Sequence, residues 1–188
     1  ERRAGARGGA VDGQPLQLGP YGARGAEADG GLDVRGGFID SWSDCKGSFD
    51  AVTMSHVIEH VGDPRALLTA AFELLRPGGC LYIDTPNIDA ASHARFGRHW
   101  RGLEIPRHLV LLNRRALDAL LGEIGFGAIA HHRAPGSTEF LVLESQRMAA
   151  LDPEQRPAEA RASSLPRSQT SEFLTLTCIR PGPGSRKG

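Results

Sequence analysis

The residues whose types and spacing could do chemistry fall in two short runs. His56-Val57-Ile58-Glu59-His60 spells H-x-x-E-H, a pattern in which two histidines one helical turn apart bind zinc and the glutamate activates water. That chemistry needs a sustained helix, whereas a strand-like run ends just before His56 and Gly62-Asp63-Pro64 interrupts just after His60. No metal is therefore expected, and a zinc hydrolase stands only as an outlying alternative. The second run, His99 to His108, contains Trp100, Arg101 and Arg107. Guanidinium forks suit an acidic group, and an imidazole that titrates near neutrality can take a proton from a hydroxyl. Cys45, Cys80 and Cys178 have neither CxxC nor metal-ligand spacing, which predicts buried thiols in a reduced, cytoplasmic protein.

Elements on either side must hold these runs in place. Phe49 to Met54 is β-branched and apolar, as expected of a parallel strand covered on both faces. Asp63-Pro64 supplies an N-cap and a first-turn proline, and Leu67, Leu68, Ala71, Leu74 and Leu75 repeat at helical spacing. A helix from Pro64 to Leu75 follows, ended by Arg76-Pro77-Gly78-Gly79. Cys80 to Thr85 reads as a second buried strand stopped by Pro86, so strand, helix and strand imply a right-handed parallel crossover. From Asn87 to Asn113 no periodicity is visible, and a connection this long predicts a lid or binding loop. Arg114 to Ile124 is helical again, Gly127 to His131 is a strand, a short helix is predicted around Arg147 to Leu151, and Glu172 to Arg180 is a strong last strand.

Residues 1–31 are dominated by Gly, Ala and Arg, with Val11, Leu16, Leu18 and Tyr21 as the only large apolar side chains, so irregular chain is expected there. Short strands at Leu32 to Arg35 and Phe38 to Asp40 then open one domain over 32–180, followed by a disordered tail at 181–188. Lys plus Arg and Asp plus Glu number 22 each, so no bulk field draws the chain to nucleic acid or an anionic membrane. No apolar run approaches the ~20 residues that cross a bilayer. A small molecule is the expected partner.

Phe49-Asp50-Ala51-Val52, His56-Val57-Ile58-Glu59-His60-Val61, Asp63-Pro64 and Leu75-Arg76-Pro77-Gly78-Gly79 together closely resemble one family, the class I S-adenosylmethionine-dependent methyltransferases of the ubiquinone-biosynthesis O-methyltransferase group. Thr85-Pro86-Asn87, Arg98-His99-Trp100, His108-Leu109 and Gly125-Phe126 are similar to later landmarks of that group, in the same order. The resemblance implies an α/β fold, a Rossmann-like doubly wound and mostly parallel sheet with one antiparallel strand, which Glu172 to Arg180 would supply. It implies S-adenosylmethionine as cofactor and methyl transfer to oxygen or nitrogen of a small-molecule acceptor.

By the same resemblance, cofactor contacts fall on Ile39 and Asp40 at the end of the third strand and on Met54, Ser55 and His56 after the fourth. Asp40 would accept from the adenine amino group. Asp12 would bind the ribose hydroxyls if Val11-Asp12 ends the second strand, in which case the first strand lies before residue 1 and the chain is a fragment. His60, His99 and His108 become candidate bases, with His60 and His108 as the catalytic pair of interest, and Trp100, Arg101 and Arg107 candidate acceptor contacts. The family's first strand and glycine-rich loop are not recognisable: Gly5-Ala6-Arg7-Gly8-Gly9 and Gly19-Pro20-Tyr21-Gly22 follow no apolar strand. A truncated or diverged, non-catalytic domain is the alternative. Lacking a central strand would leave two unpaired edges, which keeps a homodimer open.

Overall fold

The computed structural model of the chain describes residues 16–18, 39, 42–133, 138–151 and 171–184. Asp12, Asp40 and the strand expected at Leu32 to Arg35 lie outside the described residues. Five strands form one sheet: β1 (Leu16–Leu18), β2 (Phe49–Ser55), β3 (Leu75–Pro86), β4 (Gly127–His132) and β5 (Phe173–Ile179), in the spatial order β1-β2-β3-β5-β4. β1, β2 and β3 pair in parallel, and β5 runs antiparallel to both β3 and β4. The expected single reversed strand is thus the last one. β1 covers an edge of β2 that the sequence predicts to be unpaired. Three residues are too few to show a strand period, which is why it reads as irregular chain.

Four α-helices are described: α1 (Pro64–Leu74), α2 (Ala91–Phe96), α3 (Arg114–Ile124) and α4 (Thr138–Ala150). α1 starts where the sequence predicts, with Asp63 Oδ1 accepting from the Ala66 backbone N–H at 3.0 Å and Pro64 in the first turn. α3 repeats the arrangement through Asn113, and Gly125 ends it at φ 115°, a left-handed geometry that glycine adopts without strain. Between α1 and the regular part of β3, Arg76-Pro77-Gly78-Gly79 is absorbed as a bulge, so Phe49 pairs with Leu75 but Ala51 with Cys80. A Cβ on Gly79 would lie 2.9 Å from the Arg76 carbonyl oxygen, so the bulge requires glycine there.

The main core joins Val52, Met54, Leu81, Ile83, Leu174 and Leu176 of the sheet to Leu68 and Leu74 of α1 and Leu117 and Leu121 of α3. Burial alternates along β2 and β3: Val52 and Met54 are buried while Ala51 and Thr53 are half-buried, and Leu81 and Ile83 alternate with Tyr82 in the same way. The expectation of strands buried equally on both faces is corrected to one fully buried face. Cys45 and Cys178 are buried and Cys80 half-buried, all as free thiols.

The long connection is a small packed unit. It contains α2 and two 3₁₀ turns (Gly97–His99 and Arg101–Leu103) around a second core of Ala90, Phe96 and Trp100. α4 begins nine residues before the predicted short helix and ends at Ala150, one residue short of its predicted end. Its inward positions include Ser145, fully buried at a site where periodicity demands an apolar residue. The Ser145 hydroxyl donates to the Leu141 carbonyl at 2.6 Å and accepts from the Arg101 backbone N–H at 2.8 Å, so tertiary partners satisfy it. None of the described helices is long and apolar enough to cross a membrane.

Candidate functional site

A cavity of about 450 Å³ opens at the carboxyl ends of β2 and β3, where ligands bind in open α/β sheets. Ser55 at the end of β2, His56 just after it and Pro86 at the end of β3 floor it. The connection contributes Arg101, Glu104, Arg107 and His108, while Phe140 and Phe173 form an apolar side.

Leaving the end of β2, the chain turns sharply: His56 has φ 52°, and its backbone N–H donates to the Asp84 carbonyl at 2.8 Å. The turn aims the imidazole back toward β3. Its Nδ1 donates to Glu59 Oε1 at 3.1 Å, Nε2 lies 3.7 Å from Asp84 Oδ2, and the ring meets Phe173 edge-on. The hydrogen bond to Glu59 raises the His56 pKa above its usual 6.5, against the opposing effect of burial. Glu59 is buried, with Oε2 accepting from Thr85 Oγ1 at 2.9 Å. Burial alone would raise its pKa; the bonds from His56, the backbone and Thr85 outweigh that and hold it below 4.5.

His60 and His108 come from separate segments and meet with ring centroids 4.8 Å apart. His60 Nδ1 lies 3.0 Å from the Arg107 carbonyl oxygen, and His108 Nδ1 lies 2.7 Å from that of Gly102. A carbonyl only accepts, so Nδ1 carries the proton in both rings and Nε2 of each is the position that can take another. The Glu59 backbone carbonyl also accepts from Leu109 N–H at 2.7 Å, which ties the end of the connection to the loop after β2. One ligand atom each from Glu59, His60 and His108 lies within 4.8 Å of the others, a set able to hold a cation. The peptidase pattern needs His56 and His60 on one helical face. Here His56 sits in a positive-φ turn ahead of the 3₁₀ turn Ile58–His60 and outside that set, and both Glu59 oxygens are engaged.

The structure brings Ser55, His56, His60, Arg101, Arg107 and His108 to one cavity and leaves other predicted residues elsewhere. Met54 is fully buried in the main core, and Ile39 packs half-buried against it. His99 is buried in its 3₁₀ turn. Trp100, expected to contact acceptor, is instead fully buried in the second core, where its indole N–H donates to Glu172 Oε2 at 3.2 Å. The correction has a physical reason: this is the largest apolar side chain of the connection, and it packs with Ala90 and Phe96 in that core. Glu172 also accepts from the Ser92 hydroxyl and, at 3.2 Å, from the Ser92 backbone N–H.

Several residues of the cavity escaped sequence reasoning, among them Glu104 and Phe173. Glu104 lies between both arginines, with Oε2 3.2 Å from Arg101 Nη1 and Oε1 2.6 Å from Arg107 Nη1. Its spacing, three residues from each, is the signal that could have found it. Phe173 carries no local signal, since only the sheet register brings the start of β5 beside His56.

The profile of a family described as a methyltransferase domain matches residues 19–131, more than half of the chain. A ubiquinone biosynthesis O-methyltransferase from Xanthomonas campestris pv. campestris is 50% identical over 48 residues, which is 26% of this chain and 20% of that protein. The chain therefore spans about a fifth of the length of the curated relatives it matches. Among solved structures, a SAM-dependent methyltransferase from Thermotoga maritima aligns with TM-score 0.52 and 16% identity, over 80% of this chain and 64% of that one. The YcgJ protein from Bacillus subtilis aligns with TM-score 0.55 and 15% identity, over 81% and 72%. These two likenesses speak to the fold, and the Rossmann-like sheet with its reversed last strand agrees with them. With the family profile covering most of the described sheet and the cavity at its strand ends, the chain belongs to the class I S-adenosylmethionine-dependent methyltransferases.

Proposed function

We propose that the cavity holds a small hydroxyl- or amine-bearing acceptor and that the domain transfers to it the methyl group of S-adenosylmethionine. The observation that carries this reading is the histidine pair. His60 and His108, each with Nδ1–H tied to a backbone carbonyl, line the same cavity at the carboxyl ends of β2 and β3. The name of the curated relatives, O-methyltransferases, favours oxygen as the acceptor atom.

The donor supplies an already activated methyl group on its sulfonium, so the protein's task is to bind, orient and exclude water. Ser55 and His56, at the strand end, suit the cofactor side. Ile39 and Met54 support that side from the core, with Asp40 and Asp12 as the partners of adenine and ribose. Arg101 and Arg107 suit the acceptor side, where Trp100 fixes the wall from beneath. Nε2 of His60 or His108 takes the acceptor proton, which leaves as the oxygen or nitrogen gains the methyl group.

Isothermal titration with S-adenosylmethionine and S-adenosylhomocysteine tests the cofactor half. Micromolar binding is expected, and none with the fold intact by circular dichroism would favour a non-catalytic relative. For the base, His60→Gln and His108→Gln should leave S-adenosylhomocysteine affinity unchanged, while one of them lowers kcat on a hydroxyl acceptor by about 10²-fold or more. Unchanged turnover in both variants refutes the role.

A further inference from the structure

His108 is held by its own neighbours through its backbone N–H and both ring nitrogens. The backbone N–H donates to the Glu104 carbonyl at 3.2 Å, Nδ1–H donates to the Gly102 carbonyl at 2.7 Å, and Nε2 lies 3.6 Å from Glu104 Oε2. Glu104 therefore meets His108 with its carbonyl and with its carboxylate. That carboxylate is itself pinned, because Arg101 Nη1 stands 3.2 Å from Oε2 and Arg107 Nη1 2.6 Å from Oε1. Arg101 is fixed in turn from α4, through the bond from its backbone N–H to the buried Ser145 hydroxyl. The backbone carries Glu104 at φ 38°, a left-handed conformation that a residue with a side chain keeps only where surrounding contacts over-determine it. His60 is placed differently. Its Nδ1–H donates to the Arg107 carbonyl at 3.0 Å, and the acid oxygen beside its Nε2, Glu59 Oε1 at 4.0 Å, already accepts from His56.

We infer, on the acceptor site proposed above, that His108 is the imidazole that takes the acceptor proton and that Glu104 is its positioning residue. As the acceptor O–H bond breaks, its electron pair stays on oxygen, which bonds the methyl carbon while the C–S pair goes to sulfur; the proton goes to Nε2 of His108. Glu104 Oε2, at 3.6 Å, stands beyond a hydrogen bond to the neutral ring, and a carboxylate only accepts. The Nε2–H that forms finds Oε2 as its partner, so this contact strengthens as the proton moves, which is the kind of contact that favours rate. The arginines take other lone pairs of the carboxylate and stop it from turning away. A new N–H on His60 would instead compete with His56 for one oxygen.

NMR of the full chain carrying nitrogen-labelled histidine tests this, with 4-nitrophenol as the acceptor probe and with and without S-adenosylhomocysteine. Ring nitrogen shifts show which nitrogens carry a proton. Adding the probe should move Nε2 of His108 toward its protonated position, and further than Nε2 of His60. Glu104→Gln should cut that movement by about threefold or more, and Glu104→Asp, which keeps the charge on a shorter arm, should fall between. Circular dichroism checks that each variant is folded, and if Glu104→Gln is not, the Glu104→Asp response decides. Movement on His60 alone, no movement of either ring, including for want of probe binding, or a native response in the Glu104 variants overturns the inference. The two readings fail separately: a proton gained by His108 without S-adenosylhomocysteine binding refutes the transferase reading alone, and S-adenosylhomocysteine binding without that gain refutes this one alone.

Discussion

Replacing Glu59 should expose how the cavity floor is held. Its side chain is fully buried between His56 Nδ1 at 3.1 Å and Thr85 Oγ1 at 2.9 Å, while its own carbonyl holds Leu109. Glu59→Ala leaves the buried Thr85 hydroxyl without its acceptor, at about 1–3 kcal/mol. His56 is 47% exposed, so water replaces most of its lost bond and the added cost stays below about 1 kcal/mol. Removing the outer methylene forfeits about 0.8 kcal/mol of burial. The expected destabilisation is about 2–4 kcal/mol, a large part of a domain's stability. Glu59→Gln keeps an oxygen for His56, and its amide N–H can donate to the Thr85 hydroxyl in a reversed bond, so it should cost only about 1 kcal/mol, the charge-assisted part.

That part depends on pH. Glu59 has its native pKa lowered, so its contribution is present above 4.5 and is lost as pH falls through the native value. His56 has its native pKa raised, so its contribution is present below 6.5 and is lost as pH rises through the native value. The stability gap between the native protein and Glu59→Gln should therefore be widest between pH 4.5 and 6.5 and shrink on both sides. Urea unfolding followed by circular dichroism at a series of pH values measures it. A gap that does not vary with pH, or an alanine variant within about 0.5 kcal/mol of the native protein, refutes the reasoning.

Other substitutions probe the supports of the site. Trp100→Ala empties the second core and should cost about 3–5 kcal/mol by urea unfolding, whereas Trp100→Phe keeps the packing and removes only the donor to Glu172, at about 1–2 kcal/mol. Gly102→Ala drives a Cβ into the Trp100 ring and should cost about 1–3 kcal/mol, with weaker acceptor binding because Gly102 also holds His108. Asp63→Ala removes the α1 cap and should cost about 1 kcal/mol without changing cofactor affinity. Exchanging residues 87–113 for those of a relative should alter acceptor choice and spare S-adenosylhomocysteine binding; loss of that binding would show that the segment serves the cofactor.

Local signals made much of the frame legible. The Asp63-Pro64 cap, the leucine spacing of α1 and α3, Gly125 at a left-handed terminus and the apolar run of β5 are each set by a few neighbouring residues. So is the loop His56 to His60 after β2, whose order among the other motifs carries the family resemblance. Three features were not legible because their cause lies far along the chain. α4 carries a buried serine bonded to the Arg101 backbone, which no periodicity rule admits. Trp100 reads equally well as a binding or a core residue until Glu172, at the start of the last strand, receives its indole N–H. The pairing of His60 with His108, and of Glu104 with its arginines inside the cavity, exists only once the connection folds over the strand ends. Sequence determined which residues could act as base or anion clamp; the tertiary fold decided which reach the cavity, because hydrogen bonds to distant backbone carbonyls, not local spacing, orient the rings.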